Sequence, residues 1–178
     1  MPAVAPVFAR RLLAVLAQVE RVLCVSAFLL LVAVLFADVL SRELTAAGLY
    51  WAPQIGVWAN VFVVMAGFGL ASTAGAHLRP RFADDWLPQA WGRALEFLQH
   101  FVMALFCLAI AGVALSVVVG SWRLGEVELN LFLPVWPVQA ILPAAFLAGA
   151  LRHFIYAFCA ELRPVESGAF HVARERVR

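Results

Sequence analysis

The sequence contains no lysine, and only 13% of its 178 residues are charged. A soluble domain carries about 25%. So few charges cannot dress the surface of a water-soluble globule of this size, which argues against a soluble enzyme, a disordered chain and a nucleic-acid-binding module. The thirteen basic residues are all arginine, the net charge is +2, and they stand scattered at segment ends rather than in a phosphate-tracking stripe. Cysteine is equally scarce. Cys24, Cys107 and Cys159 lie in or beside apolar runs with no C-x-x-C, so a zinc site and a disulfide relay both lack their sulfurs. They read as small buried hydrophobes. Ser-His-Asp and Cys-His arrangements, glycine-rich phosphate loops and metal-ligand spacings are also missing. No catalytic, cofactor-binding or metal-binding residue is expected, and no cofactor.

What the chain has is hydrocarbon: 65% of its residues are apolar, against about 45–50% in soluble domains. The excess needs a second apolar solvent, and a bilayer supplies it. A membrane-crossing helix takes about 20 mostly apolar residues. Four stretches qualify, at about 22–40, 53–75, 97–119 and 135–158. The expected fold class is an all-α membrane protein with four transmembrane helices in a single membrane domain over residues 1–178. Arg10 and Arg11 resemble the front of a signal peptide, but Glu20 and Arg21 interrupt the early apolar stretch and no small-x-small site closes the later one. The first run is therefore read as an uncleaved span.

Arginine placement orients the spans. With N and C termini cytoplasmic, the external loops hold only Arg42 and Arg123, and the other eleven arginines, Arg152 among them, lie inside. That is a strong positive-inside bias. The inner segment at about 79–95 mixes Arg79, Arg81, Asp84, Asp85 and Arg93 with Phe82, Trp86 and Trp91. A short interfacial helix between spans two and three is expected there; an ordinary polar loop with aromatic anchors is the plainer reading. The tail at 161–178 is polar. Pro143 lies deep enough in span four to kink it, or to sit where a neighbour satisfies the freed carbonyl.

Ionisable groups at membrane depth cost about 2.5–3.5 kcal/mol on insertion scales, so each is a functional hypothesis. Asp38 and Arg42 stand four apart with the acid first, the favourable helical order. They form either a docking pair or ion-path element, or a self-neutralised interfacial pair. Spans two to four carry no mid-span acid, and Asn60 and Gln139 are the notable amides, which more often join helices than coordinate ions. His77, His100 and His153 share one depth on the cytoplasmic side. Two of them facing each other could hold a haem iron, so a haem-binding anchor of a quinone-linked respiratory enzyme is the rival reading. Span two is rich in small residues: Ala66, Gly67, Gly69, Ala71, Ser72, Ala74 and Gly75. Gly67 and Ala71 make a small-xxx-small ridge suited to close helix approach, within the chain or with a partner.

Several motifs together resemble a known family. Trp51 opens span two, Gly67 follows sixteen residues later, and Gly75, His77, Leu78 and Arg79 form a Gly-x-His-hydrophobic-Arg turn at its inner end. Asp38 and Arg42 close span one, and Pro134, Trp136, Pro143 and Phe146 fill a Pro-x-Trp and Pro-small-small-Phe pattern in span four. In this order they resemble the small membrane subunit, DctQ-like, of tripartite ATP-independent periplasmic (TRAP) transporters, over most of residues 20–158. Pro53, Gln54 and Arg81 depart from the family, which often has acids at or near those positions. The resemblance implies a non-catalytic scaffold in the bacterial inner (cytoplasmic) membrane. It would brace a large multi-span permease subunit for sodium-coupled uptake of a small organic acid delivered by a periplasmic substrate-binding protein. Asp38, Arg42, Trp51, Gly67, Gly75, His77, Arg79, Trp136 and Pro143 are then the candidate partner-interface or structural residues. Membrane lipid is the other partner, and no nucleic acid is expected.

Overall fold

Apolar runs of this length form helices in a bilayer because a helix satisfies every backbone N–H and C=O within itself. The computed structural model describes residues 4–73 and 92–164. It contains α1 (Val4–Thr45), α2 (Ala52–Thr73), α3 (Gly92–Leu124), α4 (Trp136–Gln139) and α5 (Ile141–Phe158), followed by a single 3-10 turn at Ala160–Leu162. Four helices are long and apolar enough to cross a membrane, the last being α4 and α5 taken together. Among the described residues there is no strand, only an isolated bridge between Val127 and Pro134. The expected all-α, four-span class is what the chain adopts.

α1 is longer than the apolar run that announced it. At about 1.5 Å per residue its 42 residues extend about 63 Å, roughly twice the hydrocarbon thickness. Glu20 and Arg21 do not interrupt it. Pro143 stands in the first turn of α5, just past a break in the fourth span, rather than kinking a continuous helix. Its missing N–H leaves the carbonyl of Gln139, four residues back, without a helical donor, and the break between α4 and α5 falls there. Pro137 sits in the first turn of α4, where its fixed φ is tolerated.

The short connections lie together at one end of the molecule, termed here the turn end. α3 finishes there on Gly125, whose φ of +63° is the left-handed conformation that glycine adopts without strain. Glu126 then returns its N–H to the carbonyl of Ser121 at 3.0 Å.

α1 packs along α2, and α3 along α5, making two antiparallel hairpins. The hairpins meet on a narrower α2–α5 seam, with a slight α1–α5 contact. The order across the molecule is α1, α2, α5, α3: a row, with α1 and α3 at its edges. Small residues let the row close up. Gly56 of α2 receives Leu31 and Leu35 of α1, and Gly149 of α5 receives Phe68 of α2 and Cys107 of α3. Phe68 and Phe146 meet across the seam with ring centroids 5.2 Å apart and planes tilted by 45°. The two flanks stay apolar and open, with Phe28, Leu29, Phe36, Phe106 and Val113 all exposed. Such a surface is at home in lipid.

The interfacial segment expected at 79–95 lies outside the described residues as far as 91, and residues 92–95 begin α3. The tail beyond residue 164 lies outside them as well.

Candidate functional site

Two charged clasps hold the row, one at each end. At the turn end, Asp38 accepts two hydrogen bonds from Arg42, at 3.0 Å from Nε and 2.7 Å from the terminal nitrogen. Its other oxygen accepts the backbone N–H of Leu49 at 2.7 Å. One carboxylate thereby fixes its own helix and the start of the chain's return into α2. Gly48 passes directly over the pair, where a Cβ would press on the Arg42 Nε. Ser41 and Thr45 complete the turn by donating to the carbonyl of Ala47. The sequence pairing of Asp38 with Arg42 is therefore present. Its partner beyond the helix, the Leu49 amide, was not apparent from spacing.

The second clasp is deeper and joins three helices. Arg152 of α5 is fully buried, at 0% exposure, and Glu20 of α1 is 7% exposed. The guanidinium donates to the Glu20 carboxylate at 2.6 Å and to the carbonyl of Gly69 on α2 at 2.8 Å. A Cβ built at Gly69 would fall inside the Glu20 carboxylate, so only glycine leaves room. Two unlike charges in low dielectric attract strongly, but each gives up its hydration to enter. The backbone carbonyl is the extra acceptor that helps the arginine stay there. Its Nε carries no hydrogen bond.

Sequence alone makes Glu20 an interruption of the early apolar stretch and Arg152 one of the cytoplasmic-side arginines. They are instead each other's counter-ion, across the seam between the hairpins. The available signal was an acid at the start of one apolar run and a base near the end of another, both toward the same face of the membrane. Farther along this end, Arg163 donates to the carbonyls of Tyr156 and Ala157 and to Glu96 of α3. That caps the last carbonyls of α5 with a cation.

His100 and His153 do come together, but as hydrogen-bond partners. Their Nδ1 atoms are 3.1 Å apart and the rings lie 5.4 Å centroid to centroid. That contact requires one ring to donate and the other to accept. A bis-histidine haem would instead sit between two rings that point at one iron from opposite faces; rings bonded directly to each other leave no porphyrin plane between them. The haem reading finds no support. Among the described residues no group of three or more His, Cys, Asp or Glu could hold a metal ion. All three cysteines are free, with Cys107 buried and Cys24 and Cys159 half-buried.

The small residues of span two divide between two faces. Ala66, Gly69 and Ser72 are buried inward. Ala71 is exposed, and a Cβ at Gly67 would meet nothing within 4 Å. Trp51 directly precedes α2, Trp136 opens α4 with 39% of its surface exposed, and Pro143 is buried in the first turn of α5. Gly75, His77 and Arg79 lie outside the described residues.

Four spans, an acid-arginine pair closing the first and a proline-broken fourth correspond to the motifs singled out in the sequence. The sequence model of the family described as "Tripartite ATP-independent periplasmic transporters, DctQ component" matches residues 31–163. The chain belongs to the DctQ family. It is thus a multi-pass membrane protein and a component of a tripartite transporter, which works with other components of the same system. No curated protein and no solved structure is a match. The DctQ match contains Asp38, Arg42, Trp51, Gly67, Trp136, Pro143 and Arg152, but it begins after Glu20. The acid of the deeper clasp thus comes from the N-terminal stretch of α1 that precedes the matched region.

Proposed function

We propose that this chain is the small scaffold subunit that braces the large, multi-span permease component of its transporter. In this reading the assembly lies in the bacterial inner membrane. A periplasmic binding protein delivers a small organic acid, and the large component carries it inward with sodium. Both termini of the small subunit face the cytoplasm, and the segment around 79–95 lies in the inner interface. Gly75, His77 and Arg79 place that segment, while Trp51 and Trp136 anchor the periplasmic ends at headgroup level.

One observation supports the bracing role above the others. The two acids of α1 that are buried are already committed to the chain's own fold: Glu20 to Arg152, and Asp38 to Arg42 and the Leu49 amide. Ion-carrying sites in membranes use carboxylates or carbonyls open to a water-filled path. Groups consumed in holding helices together serve a subunit that stays still while its partner moves.

Deletion and co-purification test this reading. Removing the gene abolishes growth on at least one small organic acid as sole carbon source, and affinity purification of the tagged chain in mild detergent recovers a large polytopic membrane protein. Uptake by vesicles containing the chain alone would overturn it.

A further inference from the structure

α2 presents two opposed stripes. Ala52, Gly56, Ala59, Ala66, Gly69 and Ser72 face the chain's own helices and are buried. Pro53, Val57, Asn60, Val64 and Ala71 are exposed, and Gly67 falls among them at helical spacing with open space above it. The outward stripe is apolar except at Asn60. At about 1.5 Å per residue, Asn60 lies about 12 Å from the Ala52 end and about 20 Å from the Thr73 end of α2. That is inside a hydrocarbon layer about 30 Å thick.

Its amide has two donors and an acceptor, and no described residue offers it a hydrogen bond. The exposed hydroxyls of the other spans behave differently. Ser26 folds back to donate to the Leu23 carbonyl at 3.2 Å, and Ser116 to the Val113 carbonyl at 2.7 Å. Lipid tails cannot satisfy an amide. A neighbouring helix can, and amides are a common means of joining helices in membranes.

We infer that the outward stripe of α2, centred on Asn60 and Gly67, is the docking surface for one transmembrane helix of the transporter's large membrane component. That helix supplies a hydrogen-bonding group at the depth of Asn60 and approaches the backbone at Gly67, where no side chain intervenes. The inference rests on the bracing role proposed above and adds to it the face and the contact atoms. α2 suits the task by position. It is an inner helix of the row, locked to α1 by Gly56 and to α5 by the Arg152 clasp, so a helix seated on it bears on both hairpins.

The test uses the tagged full chain co-expressed with the large membrane component of its transporter. Asn60→Leu and Gly67→Trp are compared with Val113→Trp, a control on the exposed flank of α3 where Val113 is 64% exposed. All three substitutions point away from the chain's own packing, and each variant is checked for wild-type elution in detergent. Recovery of the large component falls about threefold for Asn60→Leu and about tenfold for Gly67→Trp, and stays at the wild-type amount for Val113→Trp. A photo-crosslinking residue at Val64 forms an adduct with the large component, and one at Val113 does not. Full recovery with both α2 variants, or a Val64 adduct only with lipid or a second copy of this chain, overturns the inference. Failure of the wild-type chain to recover the large component overturns the bracing role itself, together with this surface.

Discussion

The two clasps use the same chemistry, a carboxylate and an arginine, yet they do different work. Asp38 and Arg42 are one helical turn apart, and the arginine side chain is 60% exposed. Helix geometry brings them together before any tertiary structure exists, and solvent or headgroups share the load. Glu20 and Arg152 are separated by 132 positions, and the arginine is wholly buried. Nothing local brings them together. They meet only once two hairpins have docked, and afterwards neither can leave without stranding the other. The first clasp shapes a turn. The second makes docking of the hairpins close to all-or-none.

That contrast predicts a ranking of effects. Arg152→Met leaves a buried, unpaired carboxylate and destabilises the fold by about 3–5 kcal/mol, measured by chemical denaturation in detergent micelles. The double replacement Glu20→Leu with Arg152→Met recovers most of that loss, because apolar side chains of similar size commonly replace buried ion pairs at little cost. A double variant no more stable than Arg152→Met would show that the charges do more than cancel. Gly69→Ala, which pushes a methyl group into the Glu20 carboxylate, costs about 2–3 kcal/mol in the same assay. A neutral result would mean that the carboxylate has room to move, and the three-helix clasp would then be looser than described.

At the turn end the effects shrink. Asp38→Ala removes the acceptor for the Leu49 N–H and costs about 1.5–2 kcal/mol. Faster hydrogen exchange at Leu49 than at neighbouring amides identifies the turn as the place of loss. Arg42→Ala costs at most about 1 kcal/mol, as exposed ion pairs usually do. A loss for Arg42 equal to that for Arg152 would erase the distinction between the two clasps.

The same contrast marks how far the sequence could be read. Hydropathy alone announces four spans, since the bilayer demands long apolar helices and little else imitates them. Spacing announces Asp38 and Arg42, because i and i+4 are neighbours on any helix. Pairing across the row is a different matter. Gly69 and Gly67 are indistinguishable as letters, yet one leaves room for a carboxylate and the other faces open space outside the chain. Only the rotation of α2 separates them. The sequence puts His100 and His153 at one depth, but depth does not say whether two rings bond to each other or to a common iron. Glu20 reads as an interruption ahead of the first span because a charge in an apolar stretch is costly by itself. Its counter-ion lies at the far end of the sequence.

The central claim is that the charges buried in this subunit hold helices together and carry nothing across the membrane. Complementation of the gene deletion with the Glu20→Leu, Arg152→Met double variant tests it most directly, provided that the variant accumulates to the wild-type amount in membranes. Growth on the organic acid at the wild-type rate is the predicted result. A stably inserted double variant that recovers the large component but supports no growth would contradict it.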